Sequence, residues 1–144
     1  MLATGHAASS IRLLARPSLL VPHTRRFAMS TSASNPWAEP MPRPADEMKT
    51  YLATLPDFVE GSKRLDVRPT HLEHAAVGHK QGWIVTAGAT FADDARTKMT
   101  GSWFCLREES LDKAHERLSR DVYATGGAWD MSKATITPVA VAKH

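Results

Sequence analysis

Residues 83–107, WIVTAGATFADDARTKMTGSWFCLR, decide the fold of this chain. The segments 83–91 and 102–107 are rich in β-branched and aromatic side chains, a composition typical of strands. The segment 92–100 between them is polar, as expected of a loop. We therefore predict two neighbouring strands joined by this loop.

A helix is predicted on the N-terminal side of these strands. Pro69 suits its first position, because the N–H that proline lacks would have no partner inside the first turn. The helix would end near Gly82, and apolar spacing at i, i+3, i+4 and i+7 is given by Leu72, Ala75, Ala76 and His79. It follows a charged loop over 57–67 and a predicted strand at Met48–Leu55, which Pro56 ends.

A second helix and a last strand are predicted on the C-terminal side. Ser110 can cap this helix, which would continue to about 121–123, before the Gly126-Gly127 pair. The last strand lies within 135–142, and Pro138 places it at a sheet edge. The element order is therefore β-α-β-β-α-β.

That order predicts an α+β, ferredoxin-like fold, in which two helices cover one face of a four-stranded antiparallel sheet. The segments 83–87, 103–106 and 139–142 are nearly apolar on both sides, whereas a sheet with one face in water should alternate apolar and polar residues. A second copy of the chain is the simplest cover for the other face. We therefore expect a homodimer with sheet packed on sheet.

The first 28 residues differ in composition from the rest. They contain four of the 18 basic residues, all of them arginine, and no acidic residue. This arginine-rich, serine-containing composition is typical of a mitochondrial transit peptide, and Arg25-Arg26-Phe27-Ala28 resembles a matrix-protease site. We expect a mitochondrial matrix protein, with Met29 as an alternative start for a cytosolic form. The alternative is an unstructured tail.

Beyond this leader the chain has 14 basic and 15 acidic residues, a net charge of −1. The formal charge of +3 therefore belongs to the leader, and the body has no basic footprint for nucleic acid. No stretch reaches the roughly 20 apolar residues that cross a bilayer. Neither nucleic acid nor a membrane is expected as a partner.

Residues 29–47 are proline-rich and separate the leader from a body at 48–144. Prolines remove backbone donors and favour extended geometry, so the segment is predicted to be a flexible linker or a strap on the surface. Trp37 would either anchor it to the body or lie in solvent.

Cys105 is the single cysteine, which excludes an internal disulfide and a cysteine-based zinc site. Its apolar surroundings in sequence favour a buried, inert thiol over a reactive one. Four histidines lie among acids but lack a metal-binding spacing such as His-Glu-x-x-His, namely His71, His74, His79 and His115. We expect no metal and no other cofactor.

Several short motifs of the body, in their order and spacing, resemble the YCII-related family over about residues 48–141. They are Arg68-Pro69-Thr70-His71-Leu72, Gly82 with Ala87-Gly88, Gly101-Ser102, Asp121-Val122-Tyr123 and Ile136-Thr137-Pro138. The resemblance implies a dimeric ferredoxin-like α+β barrel. It also implies a histidine and aspartate pair in a pocket beside the sheet.

By this resemblance His71 takes the position of the family's histidine and Asp121 that of its aspartate, while Val122 stands where the family usually has proline. A neutral imidazole can exchange a proton near neutral pH while a carboxylate fixes its tautomer, so the pair would be catalytic. The alternative for His71 is a helix-start histidine bonded to backbone or water. For Asp121 it is a surface carboxylate in the last turn of a helix, where it opposes the helix dipole.

Three further residues are candidates for substrate binding. Arg68 either binds a carboxylate of the substrate or pairs with Asp66 or Glu73. Ser102 aligns with the pocket, and its hydroxyl is a better candidate for substrate contact than for a nucleophile, because no base is adjacent in sequence. Tyr123 would form a wall of the pocket or of the core.

These residues favour a small, cofactor-free enzyme that transfers a proton on a small organic molecule, in an elimination or isomerisation. The alternative is a non-catalytic dimeric module that binds a metabolite or a protein, since this fold carries many functions. A third hypothesis is cofactor-free oxygenation of a substrate that itself activates oxygen.

Overall fold

A computed structural model describes residues 34–142 and, in the leader, Gly5. Four strands form one antiparallel sheet in the order β2-β3-β1-β4, as the ferredoxin-like fold requires. Their bounds are β1 Lys49–Pro56, β2 Ile84–Phe91, β3 Met99–Glu108 and β4 Thr135–Val139. The predicted transit peptide lies, apart from Gly5, outside the described residues.

Three helices pack on one face of this sheet: α1 Arg64–Gln81, α2 Leu111–Ser119 and the short α3 Val122–Thr125. Strand β1 turns Tyr51, Ala53 and Leu55 into the core beneath them. Aromatic side chains supply much of that core, including Trp37, Trp83, Phe104, Tyr123 and Trp129. The α+β prediction is confirmed. Within the described part of the chain, no helix is long and apolar enough to cross a membrane.

Helix α1 begins at Arg64, so the predicted start at Pro69 is wrong. The guanidinium of Arg64 is fixed by Asp57, which anchors the first turn to the end of β1. Pro69 lies inside the helix and leaves the carbonyl of Leu65 without its usual N–H partner. The cost is small because Leu65 is 72% exposed and water can reach this turn.

The second predicted helix is divided in two, which changes the position of Asp121. Helix α2 ends at Ser119, and Asp121 is the N-cap of α3, where its side chain accepts the N–H of Tyr123. The predicted last-turn position, opposed to the helix dipole, is therefore wrong. Val122 takes the first position of α3, which needs no N–H partner and which proline fills equally well.

The other face of the sheet carries a mixture of apolar and polar side chains. Leu52 is 42% exposed there and pairs with Cys105 on β3 and Thr137 on β4. Trp103 lies across Gly88, where a β-carbon would come 2.7 Å from the indole nitrogen. Cys105 is buried, and burial raises the pKa of its thiol, while Arg107 acts in the opposite direction. The sheet-on-sheet homodimer stays a prediction.

The described part of the proline-rich segment is a packed strap and not a flexible linker. We define the strap as residues 35–39. Its residues Pro36–Ala38 form a turn of 3₁₀ helix capped by Asn35. Trp37 is fully buried and stacks on Phe104 of β3, with ring centroids 5.8 Å apart. Pro36 is buried beside it, so the strap is held by packing of both side chains.

Candidate active site

A cavity of about 250 Å³ opens between α1 and the strands β2 and β3. Small and apolar residues of the two strands form its floor, and polar side chains converge from α1, β3 and α3. Four predicted site residues line it: Arg68, His71, Ser102 and Tyr123. The fifth, Asp121, lies behind His71. The fold therefore brings all five candidates to one place.

The His71 and Asp121 side chains meet although they are fifty positions apart in the chain. His71 Nδ1 lies 2.9 Å from Asp121 Oδ1, and the Asp121 side chain is fully buried. The same oxygen accepts the backbone N–H of Tyr123 at 2.8 Å, and Oδ2 accepts the indole N–H of Trp37 at 2.7 Å. A carboxylate can satisfy all these donors, so His71 carries its proton on Nδ1.

Aromatic side chains hold the imidazole of His71 in place. It stacks on Tyr123, with centroids 3.6 Å apart, and lies nearly perpendicular to the rings of Phe104 and Trp129, at centroid distances of 6.2 and 5.6 Å. Its Nε2 has no hydrogen-bond partner among residues 34–142. With Nδ1 occupied, this nitrogen carries the free lone pair at the cavity.

Tyr123 is a wall of the cavity and supports His71 by stacking. Burial raises the pKa of its phenol, and the positive charges of Arg64 and Arg68 act in the opposite direction. The guanidinium of Arg64 lies 4.5 Å from the centre of the Tyr123 ring, within cation–π distance. Tyr123 is therefore a neutral aromatic surface at physiological pH.

Arg64 belongs to this site but was missed in the sequence, where it lay in a presumed charged loop. It is buried and donates to both carboxylate oxygens of Asp57, at 2.6 and 2.8 Å, and to Ser102 Oγ at 2.8 Å. No local pattern signals this role, because both partners come from other elements. Arg64 carries a compensated charge and serves to hold Ser102.

Ser102 has one hydrogen-bonding function left for a ligand. Its oxygen accepts from Arg64 and, at 3.1 Å, from the indole N–H of Trp129, which uses both lone pairs. No side chain in the described part of the chain accepts its proton, and the residue lines the cavity. This favours a hydroxyl that donates to a ligand and disfavours a nucleophile.

Arg68 lies at the exposed edge of the cavity. Within residues 34–142 it forms no ion pair, so neither Asp66 nor Glu73 takes the role of partner considered for it above. A guanidinium here can reach a carboxylate or another oxyanion in the cavity. The described residues contain no group of three histidine, cysteine or acidic side chains placed to hold a metal ion.

The sequence matches the model of the YCII-related domain over residues 47–134. This match covers β1 to α3 and more than half of the chain. The chain belongs to the YCII-related domain family. Its cavity, His71 and Asp121 all lie within the matched residues, while the strap lies before them.

Proteins similar to this chain occur in bacteria and fungi. The protein YciI of Shigella flexneri is 35% identical over 47% of this chain and 74% of its own length. Aspercryptin biosynthesis cluster protein B of Emericella nidulans is 29% identical, over 62% of each chain. This chain thus spans less than two thirds of that fungal relative.

A solved structure has the same fold. It is the 5-chloro-2-hydroxyhydroquinone dehydrochlorinase of Burkholderia phenoliruptrix AC1100, in complex with 2,5-dihydroxybenzoquinone. The identity is 23% and the TM-score 0.51, over 61% of this chain and 90% of the dehydrochlorinase. The likeness supports the ferredoxin-like fold.

Proposed function

We propose that this protein is a small enzyme that transfers a proton on a small organic molecule. The observation that carries the proposal is the buried His71–Asp121 pair, whose only free nitrogen, among the described residues, meets a cavity. A histidine held in one tautomer by a carboxylate is equipped to act as a general base.

In this mechanism His71 Nε2 removes a proton from a carbon of the substrate. The electron pair of the broken C–H bond either forms a C=C bond as a leaving group departs, after which the imidazolium gives its proton to that group or to solvent, or it enters an adjacent carbonyl. In the second case the imidazolium returns the proton at another position, which completes an isomerisation. Asp121 stabilises the imidazolium between the two steps.

Ser102 and Arg68 position the substrate. The free O–H of Ser102 donates to a carbonyl or phenolic oxygen, and Arg68 binds a carboxylate or an oxyanion at the cavity edge. The aromatic ring of Tyr123 and the apolar strand residues accept a flat or ring-bearing body. The substrate class is therefore a small ring or carboxylic acid with an acidic C–H bond.

The relatives support small-molecule chemistry. Fusaric acid biosynthesis protein 2 of Gibberella fujikuroi, 28% identical over 65% of this chain, and the aspercryptin cluster protein are both named for biosynthesis. The solved neighbour is a dehydrochlorinase, an enzyme of the elimination type proposed here. None of these names identifies the substrate of this chain.

The test begins with native mass spectrometry of the protein purified from its own cells, to identify bound small molecules. Turnover and deuterium uptake of that molecule in D₂O are then compared for the wild type, His71→Ala and Asp121→Asn. His115→Ala, a histidine outside the cavity, is the matched control. Loss in the first two variants alone supports the proposal. Binding without turnover in any of the proteins would instead identify a non-catalytic module.

We also propose that the protein is a homodimer in the mitochondrial matrix. The exposed Leu52 and the apolar Trp103 and Cys105 on the open sheet face favour a second copy as its cover. A mainly monomeric mature protein in light scattering at micromolar concentration would contradict the dimer. Cell fractionation and N-terminal sequencing would test the import signal.

A further inference from the structure

Trp37 reaches the proposed acid/base pair from outside the family-matched residues. Its indole N–H donates to Asp121 Oδ2 at 2.7 Å, and both side chains are fully buried. Asp121 Oδ1 receives His71 Nδ1 and the N–H of Tyr123. One carboxylate oxygen of Asp121 therefore binds His71, and the other binds Trp37 of the strap.

The strap that carries Trp37 is fastened by several independent contacts. Arg117 donates to the carbonyl of Pro36 and, at 3.2 Å, to Glu39. Trp83 donates its indole N–H to the carbonyl of Glu39 at 2.8 Å, and its ring lies 3.5 Å from the guanidinium of Arg117. The strap is thus fixed on both sides of Trp37, at Pro36 and at Glu39.

Trp37 also packs on a neighbour of His71. Its ring is nearly parallel to that of Phe104, with an interplanar angle of 8°, and the Phe104 ring is in turn nearly perpendicular to that of His71. A buried hydrogen bond between fixed partners restrains direction as well as distance, because leaving the carboxylate oxygen unpaired would be costly.

We propose that Trp37 is a positioning residue for the His71–Asp121 pair, and that the site is incomplete without residues 35–39. This inference rests on the function proposed above. The indole N–H keeps Asp121 Oδ1 directed at His71 Nδ1. It also stabilises part of the negative charge of Asp121, which weakens the pull of the carboxylate on the proton of the imidazolium.

The direction of the effect follows from the groups around His71. The carboxylate of Asp121 contacts His71 Nδ1, and the guanidinium groups of Arg64 and Arg68 belong to α1. No side chain of β2 or β3 that lines the cavity is titratable, and Glu39 of the strap is engaged by two arginines. The titratable and charged side chains that line the cavity with His71 or flank it are Arg64, Arg68, His74, His79, Asp121 and Tyr123.

The test is Trp37→Phe in the full chain, which keeps an aromatic ring and removes the N–H. Without that donor, Asp121 attracts the His71 proton more strongly, so the NMR titration midpoint of His71 should lie at a higher pH in this variant than in the wild type. The acid limb of the kcat/KM profile should move with it. Trp83→Phe is the matched control, because it removes an indole N–H that donates to the carbonyl of Glu39 in the same strap and makes no hydrogen bond to Asp121.

A second measurement needs no variant of Trp37 and decides the matter if that variant fails to fold. In the wild type, the indole N–H resonance of Trp37 should shift with the midpoint of His71, while that of Trp83, bonded to a backbone carbonyl, should stay constant. A Trp37 resonance that ignores the titration of His71 would overturn the inference, as would equal His71 midpoints in the two Phe variants. Neither readout depends on turnover, so failure of the proposed activity is seen separately.

Discussion

Two buried polar clusters flank the strap. Both combine a carboxylate with a nitrogen-bearing side chain and a tryptophan, but they differ in how many of their polar atoms have partners in the chain. One surrounds Arg117, which donates to Glu108 and Glu39 and lies over the ring of Trp83. The other surrounds His71 and Asp121. In the first, positive and negative charges are compensated by the chain itself. In the second, described atoms are left free at a cavity, namely His71 Nε2 and the Ser102 proton.

This difference separates stability from chemistry. A buried charge with all its partners in the chain is costly to disturb, and it has little capacity left for a ligand. A buried group with one free function is poised for a substrate. The strap joins the two, because Pro36 and Glu39 bind the first cluster while Trp37 binds the second.

The largest contrast is expected from His71→Ala. Loss of the general base should lower turnover by about 10²–10⁴-fold, and the midpoint of denaturation should also fall because the buried carboxylate of Asp121 loses one of its partners. Kinetics on the molecule identified by mass spectrometry, with urea denaturation in parallel, would measure both. An equal loss of activity in His115→Ala would show that the effect is not specific to the histidine at the cavity.

Arg117→Met should show the opposite profile. It leaves the buried carboxylate of Glu108 without its cation, which costs about 3–5 kcal/mol of unfolding free energy for a buried pair. Denaturant titration gives this value. Lys113→Met, which removes only the exposed pair with Glu116, should leave the midpoint nearly unchanged. A stable Arg117 variant that had lost activity selectively would reverse the roles of the two clusters.

Arg68→Gln tests whether the cavity beside His71 binds an anionic substrate. Loss of a charged donor to a bound carboxylate should raise KM or Kd by roughly tenfold or more, with kcat less affected and stability unchanged. Isothermal titration measures the affinity. Lys80→Gln, at the far end of α1 and outside the cavity lining, controls for net charge. Equal weakening by both changes would mean that only the overall charge matters.

The smallest expected effect is a change at acid pH in the stability that Glu39 of the strap contributes. Arg120 holds the pKa of Glu39 below its ordinary value of 4.5, chiefly through a hydrogen bond. A lowered folded-state pKa stabilises the protein fully above the ordinary value, and the gain is lost as pH falls through the folded pKa. The stability difference between the wild type and Glu39→Gln should therefore shrink below about pH 4.5. A stability difference that stays constant down to acid pH would contradict a stabilising role of the Glu39–Arg120 ion pair.

The sequence predicted the elements with strong local patterns. Segments rich in apolar, β-branched and aromatic residues located the strands, and the serine cap located α2. The start of α1 was misplaced, because Pro69 fits a helix start in isolation, and the division of the second predicted helix into α2 and α3 was missed. The real start depends on the Arg64–Asp57 ion pair, which no local pattern encodes.

The site was predictable where a family resemblance supplied positions, as for His71 and Asp121. Arg64 and Trp37 were harder, because their roles arise from contacts with distant residues. A tryptophan among prolines was the one available signal for the strap, and it left anchoring and exposure equally open. Only the fit of the indole against Phe104 and Asp121 decides between them.

The proposed acid/base role of His71 and Asp121 is tested most directly by finding which nitrogen of the His71 ring carries the proton. Long-range ¹H–¹⁵N NMR correlation of the ring protons and nitrogens identifies the tautomer above the titration midpoint. We expect a proton on Nδ1, bonded to Asp121, and a bare Nε2 that becomes protonated at lower pH. A neutral His71 with its proton on Nε2, or a titration unaffected by Asp121→Asn, would contradict it.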